Sequence, residues 1–222
     1  MNMKDYLDVV YDKEKKPLSS YPEKLISHLF NVCKMRKGQS LLEPGTGMGE
    51  HLRIFKELGL KVTGLDISPK AKTNSPDLHI DILNAENVEH WPYPDNSFDI
   101  VYSKSFIEHL SQPEKYFAEA YRVLKPEGLL LTLTPDWESQ FKKFYDDPTH
   151  IRPFTIVSLR DIQAMSGFKN INVKKIRQLP LTWKYPIINA VCFLLAIFVP
   201  LRSNKKILRW SRELMLLSTS KK

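Results

Sequence analysis

The chain has 222 residues, 42% of them hydrophobic and 26% charged, and a formal net charge of +8. This balance excludes a disordered chain, a collagen-like chain and a polytopic membrane protein. Two cysteines, Cys33 and Cys192, exclude a disulfide scaffold and a Cys-rich zinc site.

Residues 22–36 place apolar groups at helical spacing, with Pro22 in the first turn, and Gly38 stops the helix. Ser40-Leu41-Leu42 predicts a short buried strand. Gly45, Gly47 and Gly49 follow, and a helix over 50–58 ends at Gly59. Residues 60–65 predict a second strand closed by Asp66, 78–82 a third and 98–102 a fourth. A helix over 113–124 ends at the turn Lys125-Pro126-Glu127-Gly128, and 129–134 predict a fifth strand stopped by Pro135. A helix near 156–166 ends at Gly167, and residues 170–178 predict a further strand near the other edge of the sheet. Residues 186–201 are mostly apolar and read as helical. Strands that alternate with helices, as near-continuous apolar runs, indicate a parallel sheet covered on both faces. Right-handed crossovers then make it doubly wound.

Charge is unevenly spread. Residues 1–173 carry 22 Lys and Arg against 24 acids, whereas 174–222 carry 11 against one, Glu213. The basic groups bracket an apolar stretch, which points to anionic lipid or a phosphate-bearing substrate rather than nucleic acid. A solvated basic tail is the alternative. The chain shows no basic start followed by an apolar run and a small-residue cleavage site, so a cytoplasmic protein is expected.

The strongest local signal is Leu41-Leu42-Glu43-Pro44-Gly45-Thr46-Gly47-Met48-Gly49. A strand ends, the backbone turns sharply and a helix starts. Glycines permit positive φ and let a ligand sit against bare main chain. The dinucleotide fingerprint would need glycine or alanine at position 50, where the chain has Glu50. Glu43, two residues before the first glycine, sits poorly beside a pyrophosphate and well beside a cationic ligand such as an amine or a sulfonium.

These residues resemble the first motif of the class I S-adenosylmethionine-dependent methyltransferases, an acid followed by G-x-G-x-G. The resemblance implies a Rossmann-like, mostly parallel seven-stranded sheet. It implies that Glu43, Gly45, Thr46, Gly47 and Gly49 cradle the cofactor. It also makes Asp66, 21 residues after Gly45, the acid that binds the ribose hydroxyls, with Ile67 beside it. Asp81 and Ile82 match the pair that holds the adenine, although the longer stretch before Pro92 leaves Asn84 as the alternative to Asp81. Ser103, at the end of the fourth strand, completes the expected cofactor contacts. Residues 91–101 and 124–129 match two further family stretches, and the likeness covers about residues 20–135 well. Asp99 is read as a loop anchor or a helix cap.

Methyl transfer is an in-line displacement in which the enzyme mainly aligns nucleophile, methyl carbon and sulfur. A hydroxyl nucleophile must also lose its proton. The site is expected at the C-terminal ends of the strands. His109 is one base candidate. Glu108-His109 resembles the E-x-x-E-H metal site of ubiquinone-type O-methyltransferases, but Ser105 replaces its first acid, and no metal ligand set is assigned. The run from Phe144 to Thr155 holds the other candidates, Asp147 and His150, with Arg152 suited to a phosphate or carboxylate. The alternative is an ordered turn in which His150 bonds backbone and Arg152 pairs with Asp146. The first 21 residues, with Tyr6, Tyr11 and Tyr21, match a segment that often covers the cofactor as a lid; ordinary packing is the alternative.

Residues 187–199 hold one polar group, Asn189. Thirteen helical residues reach about 20 Å, short of the roughly 30 Å hydrocarbon core. Trp183, Tyr185 and Trp210 flank the run, as do Lys184, Arg202, Lys205, Lys206, Arg209 and Arg212. A helix lying on an anionic membrane is one reading, and packing on the body or in a dimer is the other. The expected organisation is a cofactor-binding domain over 1–180 and an apolar, basic helical segment over 181–222. The expected function is S-adenosylmethionine-dependent methylation of a small molecule, at a hydroxyl of a saccharide or lipid-linked metabolite, by a monomer or homodimer. A quinone or lipid O- or C-methyltransferase and a non-catalytic cofactor-binding protein are the alternatives. Ser103-Lys104-Ser105-Phe106 stands where methyltransferases of bases and glutamine carry N/D-P-P-Y/F, so no nucleic-acid partner is expected.

Overall fold

The computed structural model describes residues 6–7, 20–195, 198 and 205–222. Helix α1 (Tyr21–Val32) leads to strand β1 (Ser40–Pro44), then α2 (Glu50–Glu57), β2 (Lys61–Asp66), α3 (Pro69–Asn74), β3 (Ile80–Ile82) and β4 (Phe98–Lys104). Helix α4 (Pro113–Val123) precedes β5 (Leu124–Pro135). Then come α5 (Trp137–Gln140), α6 (Ile156–Met165), β6 (Lys169–Arg177), α7 (Leu181–Lys184), α8 (Ile188–Leu195), α9 (Lys206–Arg212) and β7 (Leu214–Lys221). The seven strands form a mixed sheet in the order β3-β2-β1-β4-β5-β7-β6. The chain divides into two compact units, Met1–Ser103 with Arg122–Leu129, and Lys104–Tyr121 with Leu130–Lys222.

In the first unit β1 runs parallel to β2, β2 to β3, and β1 to β4. Leu41, Leu42, Leu65, Ile100 and Val101 are buried, so these strands read as unbroken apolar runs because both faces are covered. Helix α2 begins at Gly49, which takes φ 71°, and buries Leu52 and Phe55. Helix α3 starts on Ser68, whose side chain accepts the Lys70 N–H, with Pro69 in the first turn. Strand β5 starts at Leu124, five residues before the sequence expectation. The predicted turn is folded into it as an irregularity with Glu127 at φ 61°. A Cβ at position 128 would lie 2.7 Å from the Lys125 carbonyl oxygen, so glycine is required there. Asp99 anchors this end of the unit as expected: its Oδ2 accepts from Ser40 N–H at 2.8 Å, Ser40 Oγ at 2.7 Å and Lys125 Nζ at 2.9 Å.

In the second unit Thr155 and Ser158 form a capping box at the start of α6. Strand β6 pairs antiparallel with β7, with Lys174 opposite Leu217 and Arg177 opposite Leu214. The helical segment expected over 181–222 is corrected here, since its last residues, 214–221, are a strand. The buried positions of β7 include Ser218 and Ser220, and Gln163 of α6 serves both. Gln163 Nε2 donates to Ser218 Oγ at 2.8 Å, and Ser220 Oγ donates to Gln163 Oε1 at 2.8 Å. Hydroxyls satisfied in this way can occupy the interior, which hides the strand from a hydrophobicity pattern. The expected helix over 186–201 is seen as α8; residues 196–197 and 199–204 lie outside the described residues.

Candidate functional site

The glycine loop lies wholly in the first unit. Gly45, Gly47 and Gly49 all adopt positive φ, at 73°, 57° and 71°. The loop is tied to β2 from several directions. Gly45 N–H donates to the Leu65 carbonyl at 2.8 Å. Thr46 Oγ1 donates to the Glu43 carbonyl at 2.6 Å and accepts Leu65 N–H at 3.1 Å. Thr46 therefore braces the loop through its hydroxyl. Gly49 is held to glycine by packing, since a Cβ there would meet Ser75 Oγ at 2.6 Å and Leu78 at 2.9 Å.

Asp66 is buried at the end of β2. Its Oδ2 accepts Gly47 N–H at 2.7 Å and its Oδ1 accepts Ser68 N–H at 2.9 Å. The Tyr6 hydroxyl donates to both oxygens, at 3.0 and 3.1 Å. Of the three tyrosines in the expected lid, Tyr6 thus reaches this carboxylate, while Tyr11 lies outside the described residues. Ile67 is 55% exposed beside Asp66. Ile82 is also exposed, while Asp81 Oδ2 accepts the Tyr93 hydroxyl at 2.8 Å. Asn84 caps a turn, accepting Glu86 N–H through Oδ1 at 3.1 Å. Ser103, at the end of β4, is buried.

Glu43 is buried at the mouth of the loop, and His51 Nδ1 stands 3.7 Å from its Oε1. The Tyr102 hydroxyl lies 3.2 Å from the same nitrogen. Burial, and then the charge of Glu43, pushes the Tyr102 phenol up, so it stays protonated. His51 belongs to no motif in the sequence. Its signal was its place in the first turn of α2, directly after the glycines.

In the second unit the structure brings His109, His150 and Asp147 together. The rings of His109 and His150 have centroids 4.8 Å apart. His109 Nδ1 lies 3.1 Å from the Thr149 carbonyl and 2.9 Å from its hydroxyl. That hydroxyl donates to Asp147 Oδ1 at 2.6 Å, and Thr149 N–H adds a bond at 3.0 Å. Burial works to raise the Asp147 carboxyl, but these donors and the two histidines hold it below the usual range. His150 bonds backbone, as one of the two expectations had it, with Nδ1 2.7 Å from the Phe144 carbonyl. Arg152 and Ile151 give their N–H groups to the Glu108 carbonyl at 2.9 and 2.8 Å, which ties the two segments. Glu108 is fully buried; Thr134 Oγ1 donates to its Oε2 at 3.0 Å, and burial pushes the carboxyl up to about 7.

The C-terminal part of this unit has its own chemistry. Arg177 is 7% exposed and lines a cavity of about 330 Å³ with Lys142, Arg212, Phe141, Phe193 and Leu214. Beside it, Ile187, Val191, Phe193, Leu194 and Phe198 are exposed, while Cys192 is buried. No helix among the described residues is long and apolar enough to cross a membrane.

Residues 42–132 match the methyltransferase domain family. A probable S-adenosylmethionine-dependent methyltransferase of Mycolicibacterium smegmatis is 30% identical over 137 residues, 60% of this chain and 52% of that protein. A phosphoethanolamine N-methyltransferase of Plasmodium falciparum is 27% identical over 160 residues, 64% of this chain and 58% of that protein. The chain spans about half the length of these curated relatives. A solved S-adenosylmethionine-dependent methyltransferase from Archaeoglobus fulgidus superposes with a TM-score of 0.70 at 20% identity, covering 98% of this chain and all of that one. The fold resembles that of class I S-adenosylmethionine-dependent methyltransferases, and residues 42–132 carry the match to the methyltransferase domain family. S-adenosylmethionine is the cofactor of that class. The residues fit it: the loop presents bare main chain, and both oxygens of Asp66 already accept a hydroxyl.

Proposed function

We propose that the chain is an S-adenosylmethionine-dependent methyltransferase acting on a small molecule, at a hydroxyl of a saccharide or lipid-linked metabolite. The observation that carries this reading is the carboxylate of Asp66, oriented by two backbone N–H groups and accepting one hydroxyl on both oxygens. A carboxylate so held suits two neighbouring ribose hydroxyls. Gly45 and Gly47 would hold the amino-acid end, Ile67 and Ile82 the adenine, and buried Glu43 would favour a cation. When bound, the cofactor supplies an electrophilic methyl carbon on a sulfonium, a neutral leaving group once the methyl has gone. His109 and His150, with Asp147 behind Thr149, are assigned to holding the acceptor and activating its hydroxyl.

The lipid-linked part of the reading rests on the exposed apolar side of α8 and the Arg177 cavity beside it. An amphipathic helix flanked by cations favours an anionic interface. Two assays test the reading. Labelled methyl from S-adenosylmethionine should pass to a saccharide or polyprenyl-linked saccharide; transfer to a quinone alone would favour the alternative acceptor class. The full chain should sediment with phosphatidylserine vesicles at low salt and be released as salt rises. Failure to sediment at low salt would remove the membrane part.

A further inference from the structure

Three side chains of the second unit converge on one point. A ligand atom from each of Glu108, His109 and His150 lies within 4.8 Å of the other two. The histidines come from separate segments, so the arrangement exists only in the folded chain.

Both imidazoles are held in a defined tautomer. A carbonyl oxygen can only accept, so His150 Nδ1, 2.7 Å from the Phe144 carbonyl, carries the proton and Nε2 the lone pair. Thr149 spends its hydroxyl proton on Asp147 Oδ1, leaving its hydroxyl and carbonyl oxygens to accept from His109 Nδ1. His109 therefore has the same tautomer. An imidazole whose other N–H is given to a backbone carbonyl or a carboxylate-linked group is the usual state of a metal-binding histidine.

Glu108 supplies an independent observation. It is wholly buried, and while Thr134 serves Oε2, its Oε1 is buried with no hydrogen-bond partner among the described residues. A buried carboxylate oxygen without a donor is costly unless a cation meets it.

We propose that Glu108, His109 and His150 form a two-histidine, one-carboxylate site for a divalent first-row transition metal such as zinc, manganese, iron or cobalt. Magnesium and calcium fit less well, because they favour oxygen-only donor sets. An ion about 2.0–2.2 Å from each donor places the donors about 3–3.5 Å apart, so modest side-chain rotation closes the cluster. The site differs from an E-x-x-E-H run: Ser105 stands at that run's first acid, and His150 comes from outside it. Such an ion would polarise an acceptor hydroxyl in an open coordination position. That role rests on the methyltransferase reading, whereas metal binding does not.

The full chain, stripped with chelator, is titrated with cobalt(II) chloride and followed by its visible d–d absorption, with zinc(II) calorimetry alongside. One equivalent per chain is expected. His109→Ala and His150→Ala should each weaken it by more than the about 10–100-fold that loss of a ligand's hydrogen-bond partner costs. Glu108→Gln should do the same; should it fail to fold by circular dichroism, the histidine variants decide. Absence of a saturable cobalt signal, or one unchanged in both histidine variants, overturns the proposal. S-adenosylhomocysteine binding is measured on the same sample. Its loss with metal binding intact counts against the methyltransferase reading alone.

Discussion

The phenol of Tyr6 rests on both carboxylate oxygens of Asp66, at 3.0 and 3.1 Å. A ligand offering two hydroxyls to those oxygens must displace it. A hydrogen bond of this kind contributes about 0.5–1.5 kcal/mol net. Tyr6→Phe is therefore expected to bind S-adenosylhomocysteine about twofold to tenfold more tightly. Calorimetry reads this directly, and weaker binding would show that the hydroxyl holds the ligand instead of competing with it.

The histidine cluster should affect turnover and leave the cofactor alone. His109→Ala and His150→Ala are expected to lower kcat by about 10²–10⁴-fold. Affinity for S-adenosylhomocysteine should stay at the parent value, because the loop and Asp66 are untouched. Equal losses in both quantities would place the histidines in folding rather than in acceptor activation.

Asp99 gives the fold a defined acid sensitivity. Burial works to raise its carboxyl, but Lys125 and the two donors of Ser40 outweigh it and hold it below the usual range. A carboxyl with a depressed folded pKa stabilises fully above its unfolded value of about 4 and loses that contribution as pH falls through the lower folded value. Asp99→Asn is expected to cost about 1–3 kcal/mol at pH 7. The cost should shrink in urea melts well below pH 4. An equal cost at both pH values would refute the charged role.

Gln163 is the polar link between α6 and β7. Gln163→Leu would leave the buried hydroxyls of Ser218 and Ser220 without their amide partner. The expected loss is about 1–3 kcal/mol in urea unfolding. A neutral substitution would argue against this burial of β7.

The glycine loop and its tie to Asp66 were legible because their chemistry is local. Glu43, the three glycines and Asp66 fall within one strand-helix-strand stretch, and their spacing alone ties the loop to the next strand. The histidine cluster depends on contacts far apart in sequence. Nothing in the spacing of Glu108 and Thr134, or of His109 and Thr149, says that they meet, although each half of the cluster carried suggestive residues. The strand β7 was missed because Ser218 and Ser220 are interior residues that look like surface ones until Gln163 is placed beside them. His51 was missed because an imidazole in a first helical turn reads as solvated until Glu43 and Tyr102 are found next to it.

The methyltransferase reading stands on binding of the methyl donor by Asp66 and the glycine loop. Calorimetric titration of S-adenosylhomocysteine into the full chain and its Asp66→Ala variant tests it most directly. Saturable binding by the parent chain is expected, weakened by about 1–3 kcal/mol in the variant, or about 5- to 150-fold. Absence of binding by the parent, or equal affinity in the two proteins, would contradict it.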